Sequence, residues 1–178
     1  MKNKSKLLIA ALIPVLYLTS CDDPKTAAKY NMETTVDVMG LDFISNAAEA
    51  GHTEIAAAKV AEQVSKNPKV VDFAHMMITD HTAVAEKLQK VMNFELVKGP
   101  FPVSDKHQEL IDSLSKLNGE AFDRAYMKFM LYSHLEAVHL FEAGTDNRAT
   151  HVQTFAKENL ATIVHHFEAA RDIMESLK

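Results

Sequence analysis

The chain has little of what most small-domain architectures are built from: one cysteine, no tryptophan, five glycines and five prolines in 178 residues. A lone thiol excludes an internal disulfide framework and a cysteine-built zinc cluster. The scarcity of glycine and proline argues against a turn-rich β-sandwich. Glycine-rich phosphate loops, a Gly-x-Ser-x-Gly nucleophile elbow, internal repeats and low-complexity tracts are also missing. An excess of basic residues is lacking too, since 19 Lys and Arg face 24 Asp and Glu for a net charge of −5. Nucleic acid and anionic lipid surfaces are therefore poor partners for the folded body. The remainder, 47% hydrophobic and 24% charged, suits one ordinary globular domain, and the helix-favouring composition points to an all-α fold.

The one cysteine has a context. Lys2, Lys4 and Lys6 precede an apolar run from Leu7 to Leu18, and the small residues Thr19 and Ser20 stand directly before Cys21. This order of charged, apolar and small regions is that of a secretory signal peptide. The apolar run holds about 12 residues, short of the roughly 20 that span a bilayer as a helix, and Pro14 interrupts it. Leu18-Thr19-Ser20-Cys21 resembles the bacterial lipobox, which implies cleavage before Cys21 and acylation of it, palmitate included, since stable anchoring needs more than one chain. The expected organisation is a signal peptide over 1–20, a lipidated Cys21 and flexible tether over 21–36, and a helical domain over 37–178. Loss of residues 1–20 would remove three lysines and no acid, taking −5 to −8.

Beyond Pro24 the prolines are Pro68, Pro100 and Pro102, leaving long stretches that can hold helix. Ile44, Ala47, Ala48, Gly51, Ile55 and Ala58 recur at helical spacing and predict helix A over about 37–66. Asn67-Pro68 makes a tight link, and Val70, Phe73, Ala74, Met77, His81, Val84, Leu88 and Met92 predict helix B over about 69–94. Gly99-Pro100-Phe101-Pro102 is a strong break. A short helix follows from Ser104 through Leu117, then helix C through Phe122, Tyr126, Phe129, Ser133, Glu136 and Leu140 to Gly144, and helix D over about 149–177. Two short links and one long connection with its own helix predict a ferritin-like four-helix bundle with a short extra helix in the B-to-C crossover.

Advancing about 100° per residue sorts the polar side chains by face. His81 and His166 point into the apolar stripes of helices B and D. Glu62 falls inside the stripe of helix A with Glu54 at its edge, and Glu136 falls on the stripe of helix C. Asp80, His134 and His139 lie on flanks, while Glu49, His52 and His75 point away. Glu136-x-x-His139 is thus a better match to the Glu-x-x-His motif of carboxylate di-metal bundles than Glu49-x-x-His52. The set Glu54, Glu62, Asp80, His81, Glu136, His139 and His166 reads either as a metal site for iron, manganese or zinc or as a buried hydrogen-bonded network in which His81 and His166 meet Glu or Tyr126. A full di-metal site would need a second inward Glu-x-x-His, and helix A does not supply one.

The run Phe73-Ala74-His75-Met76-Met77-Ile78-Thr79-Asp80-His81-Thr82, with Gly51, Glu54 and Ile55 upstream and Phe122, Asp123, Tyr126, His134, Val138, Phe141, His166 and Ala170 downstream, resembles a bacterial envelope family of unknown function. That family is labelled as outer membrane protein and grouped with the ferritin-like superfamily. The resemblance implies an exported four-helix bundle and aligns Glu54, Asp80, His81, His134 and His166 with its matching positions, without implying an activity. Two expectations follow: a non-enzymatic envelope lipoprotein, anchored at the outer membrane, with a structural or stress-related role or one in binding an unidentified protein or small-molecule partner; or a metal-binding bundle with oxidoreductase chemistry.

Overall fold

The computed structural model describes residues 34–177, all helix and connecting loop with no strand among them. Cys21 and the expected signal segment lie outside the described residues. The helices are α1 (Val38–Val64), α2 (Pro68–Phe94), a short α3 (Asp105–Leu114), α4 (Gly119–Gly144) and α5 (Thr150–Ser176). Each long helix, at 26 or 27 residues, is about 40 Å long.

Local chemistry sets the helix ends. The Asp37 side chain accepts from the Gly40 amide at 2.9 Å and starts α1. Asn67 caps α2 ahead of Pro68, whose missing N–H costs nothing in a first turn. Ser104 caps α3 through the His107 amide. Residues 34–36, placed in the tether by sequence, belong to the folded body: the Thr35 amide and the Thr34 hydroxyl donate to the Glu95 carbonyl, and Val36 is buried.

Contacts at the two ends fix the topology. The start of α1 meets the end of α2 through Thr35 and Glu95, and Glu95 also meets His151 at the start of α5. At the other end Ser65, just past α1, bonds Asp123 at the start of α4 at 2.6 Å. Helices α2 and α4 therefore run parallel, and the segment joining them travels the length of the bundle, carrying α3 along α1. Helix α1 packs on α2 and α4, and α5 packs on the same two. This is a four-helix bundle with one long crossover, the connectivity found in ferritin-like folds.

The core comes in two apolar halves. One gathers Phe73, Met77, Phe122, Tyr126, Met127 and Met130; the other gathers Phe43, Ile44, Leu88, Phe141, Phe155 and Ile163. On every long helix the position between the halves is polar: Glu54, His81, His134 and His166, all buried.

Candidate metal centre

One buried residue from each long helix enters this layer because each occupies a core position of its own stripe. On α1 Glu54 falls between Ile44 and Ala57, on α2 His81 between Met77 and Leu88, on α4 His134 between Met130 and Ala137, and on α5 His166 between Ile163 and Ala170. The three imidazoles form a triangle with ring centroids 5.5 Å apart for His81 and His134, 5.2 Å for His81 and His166, and 5.3 Å for His134 and His166. One nitrogen from each lies within 4.8 Å of the other two. Tetrahedral ligation at about 2.0–2.1 Å per bond puts ligand nitrogens about 3.4 Å from each other, so a pair at the outer limit closes by about 1.4 Å when an ion binds.

The outer nitrogens are tied off. The Nδ1–H of His134 donates to the Met130 carbonyl at 2.9 Å, because that oxygen can only accept. By the same logic Nε2–H of His166 donates to Asp80 Oδ2 at 3.0 Å. Such outer carboxylate and carbonyl partners orient imidazoles that bind metals. On His134 and His166 the nitrogen facing inward is therefore the one outside those bonds, and His166 Nδ1 is buried without a hydrogen-bond partner. His81 Nε2 lies 3.4 Å from His134 Nε2 and 3.1 Å from Glu54 Oε2. Glu54 also accepts from the Ser133 hydroxyl at 2.6 Å, with His134 Nδ1 3.6 Å away.

Burial governs the charges. It pushes His81 down against the pull of Glu54, and pushes His166 down to about 4 against its bond to Asp80. Burial alone would raise the Glu54 carboxyl, but His134, His81, the Ser133 hydroxyl and His166 together hold it below its ordinary value. Burial thus favours the uncharged ring at His81 and His166, beside the Glu54 carboxylate. The Tyr126 hydroxyl, expected as a partner for the histidines, has none, and burial with the nearby negative charges raises its pKa well above the ordinary tyrosine value.

Of the residues singled out by sequence, Glu54, Asp80, His81 and His166 come together, and three do not. Glu62 is exposed and pairs with His75 at 3.1 Å on the surface. Glu136 is exposed, as is His139, which faces Glu142. The Glu136-x-x-His139 motif therefore stays on the outside, because the buried row of α4 runs through Met130, His134, Ala137 and Phe141, one residue round from Phe129, Ser133, Glu136 and Leu140. His134, placed on a flank by periodicity, is fully buried and central; its place among the positions matched by family resemblance was the signal for it. Ser133 and the buried Asn159 were not expected in polar roles.

Comparison with known proteins adds the following. A family model described as domain of unknown function DUF4142 matches residues 24–173. A crystal structure of a DUF305 fragment from Deinococcus radiodurans is similar in fold, with a TM-score of 0.68, 14% identity, and coverage of 79% of this chain and 98% of that one. No curated protein matches the chain. At that identity the structural likeness speaks for the helical fold alone.

Proposed function

This chain belongs to the DUF4142 family, a domain of unknown function, and we propose that it is a metal-binding bundle holding one divalent transition ion through His81, His134, His166 and Glu54. One observation carries the reading: imidazoles from three helices converge in a single buried layer with a carboxylate from the fourth, and one inner nitrogen, His166 Nδ1, has no partner. A core built only for hydrogen bonding satisfies its buried polar atoms, whereas a ligand set leaves lone pairs for the ion. A carboxylate buried this deeply is costly without a counter-charge, and a bound cation would supply one. Three nitrogens and one carboxylate suit zinc or iron, with manganese the softer fit. Zinc would supply Lewis acidity and iron redox chemistry, while the chain's own residues orient the ligands and keep bulk water away.

The metal test is direct. The full chain, stripped with chelator and reconstituted with Zn²⁺, Fe²⁺ or Mn²⁺, should retain close to one ion per chain by elemental analysis. A His134→Ala variant of unchanged helicity should lose it. No retained metal, or equal retention by that variant, would sink the proposal.

The lipobox-like segment ending at Cys21 supports placing this bundle at the cell envelope, outer membrane included, on a lipid anchor. Mass spectrometry of the membrane fraction should find acylated Cys21, and Cys21→Ser should release the protein. A non-acylated, membrane-free wild type would refute the anchor without touching the metal reading.

A further inference from the structure

Beside the polar layer lies a cavity of about 420 Å³ between α1, α2 and the crossover, with α4 and α5 closing its inner side through Ala137, Phe141 and Ile163. Its inner end carries Glu54 and His81, and its walls include Ala48, Val84, Leu88 and Phe101. The volume falls within the roughly 300–1,000 Å³ usual for ligand pockets. An apolar cavity of about 150 Å³ already holds a benzene, so this one has room for a molecule two to three times larger.

Two features make it a built chamber. Its roof, Gly99 to Phe101, is pinned onto α1: His52 Nδ1–H donates to the Phe101 carbonyl at 2.9 Å, and just beyond, Glu49 Oε1 accepts from the Ser104 amide at 2.9 Å and from His107 Nδ1 at 2.7 Å. The Glu49-x-x-His52 pair, which binds nothing in the core, thus has a place in the fold as the clasp of this roof. The second feature is Gly51 on the wall, in the middle of α1. A Cβ there would meet nothing within 4 Å, so no close packing requires glycine, although glycine in a helix interior costs about 0.5–1 kcal/mol relative to alanine. Its effect is to leave the chamber wide.

We propose that this chamber binds a small, largely apolar molecule carrying a single nitrogen or oxygen donor, with its apolar body among Ala48, Val84, Leu88 and Phe101 and its donor at the Glu54–His81 end, as a fifth ligand on the bound metal. The donor end rests on the metal reading above; the apolar body rests on the chamber alone.

Visible absorption of the cobalt(II)-loaded full chain tests both parts, with imidazole and 4-phenylimidazole as probes. The phenyl compound should bind at least tenfold more tightly than imidazole, and Gly51→Leu, which fills open space, should abolish the difference while cobalt stays bound; Ala48→Leu serves if Gly51→Leu does not fold. Equal binding of the two probes, or a tenfold preference that survives the filled chamber, overturns the proposal. A chain that takes up no cobalt refutes the metal centre instead. The chamber is then judged on metal-free protein, where saturating toluene should raise the unfolding temperature of wild type and not of Gly51→Leu; no rise in wild type overturns the chamber as well.

Discussion

Glu54→Gln separates a metal centre from a structural ion pair by the sign of its effect. The substitution keeps shape and removes one negative charge from a side chain that is 1% exposed. If Glu54 and His81 are a charged pair that holds the core together, breaking it leaves a buried charge uncompensated and costs about 3–5 kcal/mol. For a domain of this size that lowers the unfolding temperature by roughly 6–20 °C, at about 2–4 °C per kcal/mol. If the imidazoles are neutral and the carboxylate waits for a cation, the metal-free protein loses a desolvation penalty instead. The Ser133 hydroxyl, 2.6 Å from Oε1, still finds an acceptor in the glutamine amide. The metal-free variant should then lie within about 1 kcal/mol of wild type, or above it.

The metal-loaded proteins should move the other way. An ion at a hundred times its Kd stabilises the native state by about 2.7 kcal/mol, and a tenfold weaker site at the same concentration gives up about 1.4 kcal/mol of that. Thermal unfolding of both proteins, each with and without metal, reads all four states. A Glu54→Gln protein that loses 3 kcal/mol or more when metal-free, together with a wild type that metal does not stabilise, would refute the reasoning.

Other consequences are cheaper to check. His166 titrates near 4 when folded against an ordinary 6.5, so the unfolded chain binds more protons between those values. His166 alone should therefore take about 3 kcal/mol from metal-free stability as pH drops from 6.5 to 4, and His81 and Glu54, both held below their ordinary values, add to the loss on the acid side; urea unfolding that is flat across this window would contradict it, as would an unchanged slope in His166→Phe. Glu62→Gln and Glu136→Gln should leave metal affinity within about twofold of wild type by calorimetry, since both side chains are on the surface. Gly51→Ala should stabilise by about 0.5–1 kcal/mol. Gly144→Ala should destabilise by about 1–3 kcal/mol, because its Cβ would lie 2.5 Å from a Phe43 ring carbon and 2.9 Å from Ala156 Cβ; denaturant midpoints that fail to move in opposite directions would overturn both readings.

Helix ends were legible because they rest on short-range chemistry that the sequence displays: the start at Ser104, the Asn67-Pro68 link and the break after Lys98. The phase of α2 was legible as well, since seven apolar residues outvote one histidine in its stripe. The phases of α1 and α4 were misread by one residue, and the site itself caused the misreading. Glu54 and His134 occupy core positions, so each dilutes the apolar row it belongs to. The neighbouring rows gain apparent weight from residues such as Ile55, Phe129 and Leu140, which are half-buried against flanking structure. Glu62 and Glu136 were drawn inward by that shift, and His134 was pushed out. Periodicity averages over a helix, and a functional layer one residue deep is what such averaging removes.

The two apolar halves of the core also bear on why the layer is there. Replacing buried ionic groups by well-packed apolar ones of similar volume is often neutral or stabilising, so a continuous core would serve stability at least as well as Glu54 and three histidines. The layer is also asymmetric. On one side His166 reaches Asp80, whose side chain is 39% exposed, giving that imidazole a partner in contact with solvent. On the other side Glu54 and His81 face the roofed apolar chamber. A purely structural network has no use for one flank tied to solvent and one facing a chamber of about 420 Å³. A centre that holds an ion and admits a small molecule has use for both, because the solvent-linked carboxylate fixes the ring from behind while the chamber side receives the ligand.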